Sequence, residues 1–166
     1  LLPAALAIGL APACGQPASR ADLPATTALA IGVVQGREAH SPLLGQPVTI
    51  EGVVTADLSA DLGGWFVQDA GDGDPTTSDA LFVLADGDTS PQAGRGDRGP
   101  GSGTVVGHGR QEGRSLTALR PSAIEVVGQG TVAPLAISEP PQDWEALEGM
   151  LLRIDAPLTI TGQHDL

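Results

Sequence analysis

Residues 48–55, VTIEGVVT, constrain the fold more than any other part of the chain. Val48, Ile50, Gly52 and Val54 fall on one face, and Thr49, Glu51, Val53 and Thr55 on the other. A period of two is the pattern of a half-buried β-strand. Gly52 interrupts the apolar face where a side chain would otherwise pack. It predicts a bulge or a sharp coil, the device by which one long strand serves both sides of a small barrel. The surrounding stretch, 47–79, continues as a loop, the Gly63-Gly64 turn, a second strand over Trp65 to Gln68, and a loop from Asp69 to Asp79.

Short strands recur beyond it. Ala80 to Leu84 is an apolar run of strand length, Ser102 to Val106 and Ser115 to Leu119 read as a hairpin, and Ile124 to Val127 completes the set. Ala28 to Val34, ALAIGVV, is expected to be a first short strand, and Gln35 to Gly45 a loop. No long helical pattern intervenes. With 23 Gly and 14 Pro, the 166 residues suit short strands joined by tight turns. Aromatics are 2% of the chain, so the core must be built from aliphatic residues and Ala. The expected fold is all-β: a small five- to six-stranded OB-fold-like Greek-key barrel over residues 28–130.

Residues 131–166 are expected to hold a linker, a short helix and the start of a second β module. Asp143 is placed to cap one or two helical turns and Gly149 to end them. Met150 to Ile154 and Leu158 to Thr161 read as a hairpin through Asp155-Ala156-Pro157, cut short at the C-terminus.

Residues 1–27 read as a signal-peptide-like segment and linker. LLPAALAIGLAPA is too short to span a bilayer as a stable anchor, and it resembles the apolar region of an export signal without its charged start. Cys14 follows the small-residue site. It is either a lipidated N-terminus, giving a lipid anchor, or incidental to an ordinary cleavage site. Both readings place the protein outside the cytoplasm, extracellular or periplasmic. As the sole cysteine, Cys14 excludes an intramolecular disulfide.

The formal net charge is -12, which disfavours general binding to a phosphate backbone. The charge is uneven. Eight Asp and no Arg lie from Asp57 to Asp88, whereas Arg95 to Arg120 has a local balance of +3.

Several stretches resemble the N-terminal part of secreted bacterial extracellular nucleases, in which an OB-fold-like module precedes an endonuclease/exonuclease/phosphatase-type catalytic domain. They are IGVVQG (31–36), SPLLGQPVTIEGVVTAD (41–57), GGWFVQDAGDGDPTTSDALFV (63–83), ALRPSAIEVVGQG (118–130) and WEALEGMLLRI (144–154). The most specific is the strand end Trp65-Phe66-Val67-Gln68-Asp69 running into GDGDPTTSD. The resemblance implies a non-catalytic module accessory to nucleic-acid hydrolysis, with a downstream nuclease domain as partner and DNA or RNA as ligand. One departure is Arg98-Gly99-Pro100-Gly101-Ser102, where the family carries a Val-rich strand. Gly and Pro there predict an open barrel or a degraded copy, and a gene fragment without function is a further reading.

Three groups are candidate sites. Asp69, Asp72, Asp74 and Asp79 could supply oxygens to Ca²⁺ or Mg²⁺, or could simply bond nearby backbone amides in a solvated turn. Arg95, Arg98, Arg110, Arg114 and Arg120 are the candidate phosphate contacts, the alternative being a solvated loop. Trp65 is a candidate base-stacking residue, with core packing the favoured reading for the Trp65–Phe66 pair. No catalytic constellation stands out: His40, His108 and His164 are widely spaced, and there is no G-x-S-x-G elbow or phosphate loop. An exported envelope-binding module, stabilised by Ca²⁺, is the reading from a different functional class.

Overall fold

A computed structural model describes residues 27–85, 93–111 and 114–159. Its centre is a six-stranded sheet in the order β1-β2-β3-β5-β4-β6, with β1 also paired to β4. The strands are β1 (Pro47–Leu58), β2 (Gly64–Gln68), β3 (Ala80–Leu84), β4 (Asp97–Gln111), β5 (Arg114–Ile124) and β6 (Gly128–Gln129). The β1–β4 pairing turns the first five into a ring. All its seams are antiparallel except β3–β5, which is parallel. This is the Greek-key barrel of the OB type.

On its apolar face β1 does what the alternation predicts. Val48, Ile50 and Val54 are buried and Glu51 is exposed, but Thr49 and Val53 on the other face are half-buried and Thr55, where the register shifts, is buried. The first half of the strand pairs with β4 and the second half with β2, the handover falling at Val53. Gly52 sits against Val67 and the Gln68 carbonyl at the coil, while the register shift lies further on, between Val54 and Ala56.

The Gly/Pro-rich stretch does not open the barrel. β4 runs unbroken through it, with Ile50 opposite Gly101, Glu51 opposite Pro100 and Gly52 opposite Gly99. The reason is steric. A Cβ on Gly99 would lie 1.8 Å from the Glu125 carbonyl oxygen, so the residue that weakens an isolated strand is the one that admits a neighbour here. Pro100 lacks an N–H, but its carbonyl accepts the Glu125 N–H at 3.0 Å. Ile124 to Val127 is not a separate strand. β5 ends at Ile124, and Val127 N–H then donates to the Arg98 carbonyl.

The apolar run 28–34 is also not a strand. Leu29 makes one parallel bridge to Ile50, and Ile31–Gln35 then forms the short helix α1. The strands close a ring, so any other element reaching its interior must enter by an open end. Ile31 and Val34, three residues apart on one helical face, do so and are fully buried with Val48, Ile50, Trp65, Leu81 and Leu119. Ala93 joins the same core from the segment before β4.

A smaller apolar cluster lies apart from this core: Phe82, Leu84 and Ala118, with Phe66, Val106 and Leu116 against it. The Phe66 and Phe82 rings meet edge-on at 5.0 Å.

Beyond the barrel, β7 (Leu135–Ile137) pairs with β8 (Leu152–Ile154). The pairing is parallel, so the expected 150–161 hairpin is replaced. β8 takes its partner from the stretch read as linker, and Leu158 and Thr159 are not in a strand; residues 160 and 161 lie outside the described region. Asp155 extends the ladder through its N–H to the Ile137 carbonyl, and its carboxylate is gripped by Arg153 at 2.9 and 3.0 Å. The expected short helix is a single 3-10 turn, Glu145–Leu147, with Asp143 Oδ1 accepting the Glu145 N–H at 2.9 Å. Among the described residues no helix is long and apolar enough to cross a membrane.

Candidate functional site

The acidic loop 69–79 joins β2 to β3 at the end of the barrel that α1 enters. Its aspartates are brought near one another, but each has a distinct structural task. Asp69 Oδ2 accepts the Ile31 N–H at 2.7 Å, capping α1 from a remote part of the chain, and its Oδ1 accepts the Gly71 N–H at 2.8 Å. Asp72 Oδ1 accepts the Asp74 N–H at 2.8 Å. Asp74 Oδ1 accepts both the N–H and the hydroxyl of Thr76, and its Oδ2 pairs with Arg37. The Thr76 hydroxyl, then Arg37, hold the Asp74 carboxyl at about 2, well below the usual range. These are side chain–backbone turns of the kind that Asp favours in loops.

Asp79 differs. Burial, reinforced by the neighbouring Asp69 charge, pushes its carboxyl up. Its Oδ1 is buried without a hydrogen-bond partner among the described residues. No group of three or more His, Cys, Asp or Glu side chains among the described residues is arranged to hold a metal ion. The oxygens of Asp69, Asp72 and Asp74 point largely into the backbone of their own loop and of α1.

Beside this loop runs a groove of about 870 Å³ between β1, the start of the loop and residues 131–136. Glu51, Asp69, Asp79 and Arg98 supply its charge. Arg98 lies 3.7 Å from Glu51, both side chains half exposed. Three carboxylates to one guanidinium make this a poor seat for a phosphate backbone.

The five candidate arginines do not converge. Arg98 lies near the start of β4 and Arg110 near its end, separated by roughly 40 Å of strand at the usual rise per residue. Arg114 begins β5 beside Arg110, at the β4–β5 hairpin. Arg120 is exposed opposite Thr104, midway along β4, and Arg95 is exposed just before that strand. What reads as one cluster in sequence is distributed along a strand in space.

Trp65 is 3% exposed and belongs to the barrel core, so it offers no face for stacking a base. Phe66 points to the opposite side, as adjacent strand residues must. Its ring is partly buried by Gly149. His40 is exposed and its Nδ1 lies 3.4 Å from the Ser115 hydroxyl, whereas His108 stacks on Phe82 at 5.5 Å. Cys14 and His164 lie outside the described residues.

One group was not singled out from sequence. Glu148, just after the 3-10 turn, is half-buried, and burial followed by the Glu145 charge pushes its carboxyl up to about 7. The nearby Thr117 backbone and Gln35 side chain act in the opposite direction but do not offset this. Its only local signal is an acidic residue beside the Gly149 stop.

No protein-family model, curated protein or solved structure matches this chain.

Proposed function

We propose that this chain is the non-catalytic, OB-fold-like part of an exported, nuclease-like protein, accessory to nucleic-acid hydrolysis. The observation that supports the reading best is the barrel itself, because the stretches that resemble the secreted nucleases are the joints of that barrel. Residues 41–57 carry the strand shared between two neighbours, 63–83 carry β2 and β3, and 118–130 carry the closing pairing with β4. Chemistry would belong to a downstream phosphodiesterase domain, and the barrel would position nucleic acid or support that domain. Of the basic residues, Arg98 is poorly suited to a phosphate, because it faces Glu51.

Two assays on the purified chain test this. The expected results are no hydrolysis of DNA or RNA with Mg²⁺ or Ca²⁺, and binding to single-stranded DNA that weakens steeply with salt. Clear turnover would sink the non-catalytic assignment, and absence of binding to either nucleic acid would sink the positioning role.

The unpartnered Asp79 oxygen beside Asp69 favours a second reading, an exported envelope-binding module stabilised by Ca²⁺. A melting temperature raised by calcium, with no nucleic-acid binding, would select it.

A further inference from the structure

The two sheets do not join. β7 and β8 pair only with each other, while the outward face of β1 carries exposed Glu51 and half-buried Val53. Leu29 is pinned beside β1, its N–H donating to the Thr49 carbonyl at 2.8 Å. Gly130 packs on Val53, where a Cβ would come within 2.6 Å of the Val53 side chain, and so brings residues 131–136 close to β1. The space left between these parts is the groove of about 870 Å³.

Its lining is mainly aliphatic. Leu29 comes from the segment beside β1 and Leu135 from β7, and they are 37% and 42% exposed. Val53 and Met150 also line it. The charge on this surface is unbalanced. Glu51 has Arg98 at 3.7 Å, but among the described residues no ion pair joins Asp69 or Asp79 to a cation, and Arg37 is engaged by Asp74. A metal ion does not suit that imbalance. Both Asp69 oxygens already accept amides, and the described carboxylates are not grouped to hold one. An apolar groove of this size with a few fixed charges suits an extended organic body. Its complement has aliphatic parts and a positive charge.

We propose that this groove docks an extended segment of a partner protein in which arginine or lysine stands next to aliphatic residues. The aliphatic side chains cover Leu29, Val53 and Leu135, and the cationic head answers Asp69 and Asp79. The methylene stem of that same side chain adds apolar contact while its charge stays at the carboxylates. Arg98, the one cation lining the groove, opposes the segment instead of attracting it. Docking of this kind is independent of nucleic acid, which the three carboxylates repel.

Met150 is the chain's single methionine, so a carbon-13 label on its methyl group gives one NMR signal from the groove. Titrating the full chain with the peptide acetyl-Leu-Arg-Leu-Arg-Leu-amide should move that signal to saturation, and salt should weaken the binding. The same peptide with glutamate in place of arginine should leave the signal where it is. This pair of peptides needs no altered chain. Glu51→Gln and Asp79→Asn should each weaken the arginine peptide by up to roughly fivefold, whereas Arg98→Gln should bind it at least as tightly as the unaltered chain. No movement with the arginine peptide, an equal response to the glutamate peptide, or weaker binding by Arg98→Gln would overturn the proposal. So would hexylamine matching the peptide in affinity, which would mark a site for small amines, or oligothymidylate displacing the peptide.

Discussion

The Ile31 N–H donates to Asp69 Oδ2 across 2.7 Å, although the two residues stand 38 positions apart in the chain. A short helix cannot satisfy its own first amides. Ala30, at the N-cap position, has no side chain to do so. The acidic loop supplies the missing acceptor, tying the element that enters the barrel to the turn between β2 and β3.

That cap should be worth about 1.5–3 kcal/mol, the range for hydrogen bonds to a charged group. Asp69→Ala should lower stability to denaturant by that amount, because it also frees the Gly71 amide. Asp72→Ala, which frees only the exposed Asp74 amide, should cost less. Urea unfolding of the two variants side by side checks the order.

Closure of the barrel at Gly99 predicts a sharp contrast between glycines. Gly99→Ala drives a methyl into the Glu125 carbonyl and should cost about 2–4 kcal/mol. Gly128→Ala, which meets nothing within 4 Å, should be close to neutral. Thermal melts of both variants decide it, and equal effects would mean that β4 does not close against its neighbours as described.

The two tryptophans should separate cleanly. Trp65→Ala removes a core side chain and should cost about 3–5 kcal/mol. Trp144→Ala should change stability by less than about 0.5 kcal/mol. Acrylamide should quench the Trp144 emission readily and leave that of Trp65 largely untouched.

Acid should act on the Arg37–Asp74 pair late. Asp74 is depressed to about 2 from an ordinary 3.8, so the stabilising contribution of this turn is present above 3.8 and is lost as pH falls through the lower value. A carboxyl-carbon NMR titration should find the midpoint near that lower value. Thr76→Val should raise it more than Arg37→Ala, because the threonine hydroxyl is the larger cause.

The legible parts of the fold are those decided locally. The alternation in 48–55 yields β1 with Val48, Ile50, Gly52 and Val54 buried as expected, whereas the other face is exposed only at Glu51 and is buried at Thr55. The Asp143 cap and the Gly149 stop are visible because capping uses neighbours two to four residues away. The Asp-rich run was readable as a set of backbone-bonding turns, and Asp72, Asp74 and part of Asp69 are that. Its reach to Ile31 was not legible, since nothing in the loop names a partner so far away.

The sequence by itself determined the class: an aliphatic, Gly- and Pro-rich chain of short strands closing into a small barrel. Tertiary structure decided where local preference was weak or contrary. Residues 31–34, three of them β-branched, form a helix because Ile31 and Val34 fill the open end of a ring. Gly99 sits inside a strand because the Glu125 carbonyl just past β5 leaves no room for a Cβ, and Pro100 because its carbonyl accepts the Glu125 N–H. β8 pairs with Leu135–Ile137 because that stretch lies alongside it. A hydrogen-bonding partner or a contact surface supplied from elsewhere in the chain outweighs an intrinsic preference that is worth, per residue, only about 1 kcal/mol or less.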